Sequence, residues 1–132
     1  MSVDRISNMV SSLKNCSMAG RASMEIPYTR ECEDIAKVLK DKDFIEEVKV
    51  FKKENSKMKL ISIKLSKDGE NIKLSEAKRV STPGRRIYRG HKELKPVLAG
   101  LGVLVVSTSR GIMDGREAKK KKLGGEVICK VY

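Results

Sequence analysis

Residues 4–39 carry two helical stripes separated by a short alternating stretch. Ile6, Val10 and Leu13 recur at helical spacing behind Asp4, a helix-capping residue type, and the pattern fades at Ala19-Gly20. "ASMEIPY" then alternates, with Ala22, Met24, Ile26 and Tyr28 on one side, which predicts a short strand. Pro27 puts that strand at an edge or marks its end. Thr29 is placed to cap a second helix, and Glu31, Glu33 and Asp34 fill its first turn, where the helix dipole favours negative charge. Cys32, Ile35, Ala36 and Leu39 form its apolar stripe, and Lys40 and Lys42 suit its C-terminus. "FIEEVKVFKKE" sets Val48 and Val50 on one face; "KMKLISIKL" answers it after a polar turn at Asn55-Ser56, as a hairpin. "SKDGEN" adds a turn with an Asp-Gly signal.

Beyond residue 66 the pattern is mostly β. "NIKLSEAKRV" reads as one strand, and "STPGRR" as a turn with Pro83-Gly84 set for type II geometry. "RIYRG" reads as a short strand, and "HKELKP" as a short helix or turn. The near-continuous apolar run of "GVLVVST" predicts a buried strand. Asp114 to Glu117 have the capping-box pattern, so a short helix starts there, Gly124-Gly125 end it, and "EVICKVY" closes the chain as a strand. The expected fold class is α+β, as two small, tightly packed domains. Residues 1–66 form an N-terminal α/β unit, and 67–132 a mostly β C-terminal unit with a short helix.

Composition narrows this picture. The chain has 132 residues, 39% of them apolar, with two Phe, three Tyr and no Trp. Its core must therefore come from Val, Ile, Leu, Met and Ala. No apolar run approaches the roughly 18 residues of a membrane span, and "MSVDRISNMV" lacks the apolar stretch of a secretory signal, so a cytoplasmic setting without a membrane partner is expected. Cys16, Cys32 and Cys129 are scattered, with no C-x-x-C pair, which fits a reducing compartment and cysteines packed as small hydrophobes.

Charge changes the picture more. The net charge is +12, and it is one-sided: residues 1–66 hold 13 basic and 10 acidic side chains, residues 67–132 hold 16 and 7. Such a basic half points to a polyanion, nucleic acid above all. Segment 78–95 concentrates Lys78, Arg79, Arg85, Arg86, Arg89, Lys92 and Lys95 against Glu93 alone, and Tyr88 among them could stack on a base. The four lysines 119–122 cannot all meet one partner, because consecutive helical residues occupy different faces. They are either a solvated helix or a site with one or two phosphate contacts.

Enzyme chemistry finds little support. His91 is the single histidine and sits among cations, so Ser107 and Ser109 have no usable general base. There is no G-x-S-x-G elbow, no phosphate-binding glycine motif and no metal-ligand spacing. No catalytic residue, metal or cofactor is therefore expected. A different use suits "VVSTSRG". Ser107, Thr108 and Ser109 at a strand end can lie against a nucleotide, Gly111 lets a sugar or phosphate approach the backbone, and Arg110 supplies a fork for phosphate. The competing reading is a hydroxyl-rich turn that caps the next element.

At "VVSTSRGIMDGREAKKKKLGGEVICKVY" a resemblance becomes specific. "AGLGVLVVSTSRGIM", "DGREA" and "LGGEVICKVY", preceded by "GRRIYRGHKELKPVLAGLG", resemble in order and spacing the small-subunit ribosomal protein eight family, called S-eight in bacteria. The start, "DRISNMVSSLKN", has the family's helix pattern in weaker form. The chain departs from the family at Arg5, where Asp-Pro is usual, and at Asp114-Gly115, where Met-Thr-Asp usually precedes the Arg-Glu-Ala. The resemblance implies two small domains in tight contact and a structural protein of the small ribosomal subunit. It implies direct binding to the central domain of small-subunit ribosomal RNA, through the C-terminal domain, on an irregular helix, in support of platform assembly. Ser107, Thr108, Ser109 and Gly111 match the family's RNA-contacting loop, Gly124, Gly125 and Glu126 its neighbouring contact, and Tyr88 an aromatic near the same surface. Arg85, Arg86 and Arg110 join them as cations beside the RNA. Neighbouring small-subunit ribosomal proteins are further implied partners, and the operon's own messenger RNA is another candidate, since some bacterial relatives bind theirs.

Overall fold

In the computed structural model, which describes residues 4–132, helices and antiparallel sheets combine in the α+β manner. The chain folds as two units, residues 4–75 and Glu76–Tyr132. The first three residues of the expected N-terminal domain lie outside the described residues.

In the first unit the capping residues act as their chemistry predicts. The Asp4 carboxylate accepts from the Ser7 N–H at 3.1 Å to start α1 (Arg5–Ala19), and Gly20, at φ 70°, closes it in the left-handed region. Thr29 Oγ1 accepts from the Cys32 N–H at 3.1 Å to start α2 (Arg30–Asp41). Met9, Val10, Leu13 and Cys16 from α1, and Cys32, Ile35, Ala36 and Leu39 from α2, are buried. β1 (Ser23–Pro27), β2 (Ile45–Lys52) and β3 (Lys59–Leu65) pair antiparallel in the order β1-β3-β2, which puts Pro27 at the end of an edge strand. Val48 and Val50 share a face with their partners Ile63 and Ile61, but on the opposite edge, so Val48 is half-buried and Val50 exposed.

The stretch "NIKLSEAKRV" is not one strand. Its start pairs within the first unit, where β4 (Lys67–Asp68) and β5 (Asn71–Ile72) make a hairpin with Gly69 at φ 67°. The Lys73 N–H donates to Ser66 O at 2.9 Å, and the Ser17 hydroxyl donates to Leu74 O. Its end, β6 (Ala77–Arg79), pairs in the second unit. The division of the chain therefore falls at Ser75, not after residue 66: hydrogen bonds tie 67–74 back to the first unit.

The second unit is one antiparallel sheet with one α-helix and two short 3-10 turns, at His91–Glu93 and Leu98–Gly100. β7 (Tyr88–Arg89), β8 (Val103–Thr108), β9 (Gly111–Asp114) and β10 (Gly125–Val131) join β6, and α3 (Gly115–Lys120) crosses between β9 and β10. β10 is central, with β8 and then β9 on one side, and β6 and β7 in series on the other. Leu94, Val106, Met113, Ala118 and Val127 form a buried cluster that seats α3 on one face of the sheet. β9 is absent from the sequence reading, and two other details differ from it. Gly84 does not take the positive φ that a type II turn requires, although Thr82 and Arg85 do close a tight turn around Pro83-Gly84. And α3 stops at Lys120, capped by Lys121 and followed by left-handed Lys122, before Gly124-Gly125 are reached. Asp114 caps its start, accepting from the Glu117 N–H at 2.8 Å. Among the described residues no helix is long and apolar enough to cross a membrane.

Candidate RNA-binding surface

Sheet register decides which of the expected site residues meet. Glu126 lies opposite Ser107 on one side and Tyr88 on the other, and Ser107 lies opposite Ile112. Directly opposed residues share a face, so Tyr88, Glu126 and Ser107 form a polar row, with strands about 4.8 Å apart. The buried Val106 and Val127 alternate with Ser107 and Glu126 along their strands, so they face the other way. A β-bulge in β10 creates this row. Val131, Lys130 and Cys129 face Val103, Leu104 and Val105; the register then shifts, and Val127 faces Val106. Had the strand run on in its first register, without the shift, Glu126 would face Thr108 and its carboxylate would turn to the other side of the sheet.

The three hydroxyls have different fates. Thr108 Oγ1 accepts from the Arg110 N–H at 3.1 Å and donates to Gly111 O at 2.8 Å, so it holds the two-residue turn together. Ser109 and Arg110 keep negative φ while Gly111 takes φ 112°, the pattern of a turn followed by a glycine bulge. The Ser107 and Ser109 hydroxyls make no hydrogen bond among the described residues and are available to a ligand. A Cβ on Gly111 would meet nothing within 4 Å, so its backbone is bare.

Gly124 and Gly125 have a packing reason of their own. A Cβ on Gly124 would lie 2.6 Å from Arg89 O and 2.9 Å from Gly90 Cα; one on Gly125 would lie 2.0 Å from Ser107 O. Only glycine lets β10 close against β7 and β8 here.

The cations divide by location. Arg85 and Arg86 are exposed on the turn leading into β7, and Arg86 Nη1 donates to Glu126 Oε2 at 3.0 Å. Arg110 is exposed at the tip of the β8–β9 turn. Lys119 to Lys122 are exposed on and just after α3, whose Ala118 packs against Val106 and Val127. The lysine run thus belongs to the face opposite the Tyr88–Glu126–Ser107 row, and Lys121 is paired with Glu117 at 2.9 Å. Tyr88 itself is 64% exposed, an unusual position for a large ring.

A family model described as Ribosomal protein S8 matches residues 4–132. The chain belongs to that family. It is 41% identical to the small ribosomal subunit protein uS8 of a Synechococcus strain, over 98% of this chain and 96% of the relative. It is 43% identical to the uS8 protein of Trichodesmium erythraeum, over 98% and 97% of the two chains. Against the uS8c protein of Marchantia polymorpha the identity is 40%, over the whole of both. As a member of the S8 family, the chain is a structural, non-enzymatic constituent of the small ribosomal subunit, located on the ribosome.

Within this S8 protein, one residue that organises the surface escaped the sequence reading. Ser81 is fully buried, and its hydroxyl accepts from the Ile87 N–H at 2.9 Å and donates to Ile87 O at 3.3 Å. Ile87 O also accepts from the Val127 N–H at 2.9 Å. Ser81 therefore fastens the turn that carries Arg85, Arg86 and Tyr88 to β10. A serine inside a turn-like "STPGRR" gives no sign that it is buried.

Proposed function

We propose that this S8-family protein binds the central domain of small-subunit ribosomal RNA directly and supports assembly of the platform, with small-subunit ribosomal proteins as neighbours. The observation that carries this reading is the Tyr88–Glu126–Ser107 row beside the bare Ser109–Gly111 turn. A-form RNA hides its base edges in a deep, narrow groove, so a protein reads irregular helices whose bases are splayed or displaced. The row offers what such a target needs: a ring for stacking, a carboxylate that accepts from base amino groups, and a small hydroxyl. Arg85, Arg110 and the bare glycine backbone at 111 let the phosphate–sugar chain come close.

The test is binding of the purified protein to a central-domain RNA fragment across a salt series, beside a messenger-leader RNA and a scrambled duplex. Selective binding to the ribosomal fragment that weakens by about 1–3 kcal/mol in Ser107→Ala, with little change in salt slope, supports the reading. Equal binding to all three RNAs, indifferent to Ser107, would reduce the interaction to charge alone. Tighter binding to the leader would make the messenger the principal target.

A further inference from the structure

Arg85 and Arg86 are adjacent, both exposed and both basic, yet their surroundings differ. Arg86 Nη1 donates to Glu126 Oε2 at 3.0 Å; no ion pair involves Arg85 among the described residues. Resting on the RNA-binding reading above, we infer that Arg86 is a positioning residue that acts on RNA through the Glu126 carboxylate rather than by gripping phosphate.

The argument starts from Glu126. It sits mid-row between Tyr88 and Ser107, on a surface read as facing a polyanion. A bare carboxylate there repels the ligand and can swing among rotamers. Arg86 removes both difficulties. Its guanidinium compensates the charge and fixes one carboxylate oxygen, which leaves Oε1 as the acceptor offered to a base amino group. The Arg86 backbone is itself held. It follows the Thr82–Arg85 bridge and precedes Ile87, whose N–H and C=O both bond the Ser81 hydroxyl. The fork therefore springs from a fixed point. A guanidinium so engaged has fewer N–H groups left for phosphate, whereas Arg85 keeps all of its own.

The experiment is a double-mutant cycle on RNA affinity with Arg86→Ala, Glu126→Gln and the pair, with Arg85→Ala as comparison. Arg86→Ala should weaken binding about tenfold in the wild-type background and less than about threefold once Glu126 is Gln. Arg85→Ala should weaken binding by the same factor in both backgrounds and lower the salt slope by about 0.7–0.9, as loss of one phosphate contact does. An equal loss on Arg86→Ala in both backgrounds would make Arg86 a phosphate contact and overturn the inference. A second readout needs no RNA. The Glu126 carboxylate carbon resonance of the free protein should move in Arg86→Ala and stay in place in Arg85→Ala; a resonance unmoved by either would also overturn it. Failure of the wild-type protein to select the ribosomal fragment would sink the RNA reading instead, and the resonance would still decide whether the pair exists.

Discussion

Gly125→Ala is the substitution by which the packing of this surface can be measured. The added methyl carbon would lie 2.0 Å from Ser107 O, 2.9 Å from Ser107 C and 3.2 Å from Thr108 Cα. All three are backbone atoms of the neighbouring strand, so no side chain can swing aside to make room. The strands must part where Gly125 faces Thr108 and Glu126 faces Ser107. Overpacking of a fixed site costs about 1–3 kcal/mol, and the cost here belongs at the upper end because the obstruction is main chain. Gly111→Ala is the informative contrast. Its methyl group meets nothing within 4 Å, and its penalty comes only from the backbone angle of φ 112°. Denaturant unfolding of both variants, with amide exchange read at Ser107, Thr108 and Glu126, separates the two mechanisms. Gly125→Ala should speed exchange at the β8–β10 end, while Gly111→Ala should leave that pairing protected. A Gly125→Ala protein within about 0.5 kcal/mol of wild type, with unchanged exchange, would refute the claim that close strand approach demands glycine there.

Further outcomes follow from single groups. Ser81→Ala removes the hydroxyl that serves both polar atoms of Ile87, so stability should fall by about 1–3 kcal/mol and amide exchange at Ile87 should rise. Thr108→Val should loosen the Ser109–Arg110 turn, costing about 0.5–1.5 kcal/mol per lost hydrogen bond, with the change read in the Arg110 amide resonance. Burial pushes the Cys129 thiol from an ordinary 9.0 up to about 12, against a small opposing pull from Arg79. Between those values the folded chain keeps a proton that the unfolded chain has lost, so stability should be fully present below pH 9 and decline as pH rises towards 12. A Cys129→Ala variant should show a smaller decline over that range.

Much of this was legible in the sequence because it is local. Asp4, Thr29 and Asp114 cap helices through side chains three residues from their partners, and buried stripes such as Ile35, Ala36 and Leu39 repeat at the helical period. What the sequence hid is long-range. A run such as "NIKLSEAKRV" has strand character throughout, but its two ends pair in different units, and no local signal marks the change of partner. The bulge between Val127 and Cys129 cannot be seen in "EVICKVY", yet it decides that Glu126 faces Ser107. Of the hydroxyl triplet, spacing alone could not tell that Thr108 is occupied within its turn and that Ser107 and Ser109 are not. The glycines at 124 and 125 were expected as contacts, and the structure gives them a packing role whatever else they touch.

The most direct test of the proposed surface is a map of amide resonance changes as a central-domain RNA fragment is added to the isotope-labelled protein. The account predicts changes concentrated at Tyr88, Ser107, Ser109, Gly111, Gly125 and Glu126, with α2 and the Lys119–Lys122 segment little affected. Changes centred on those lysines, with the Tyr88–Glu126–Ser107 row silent, would contradict it.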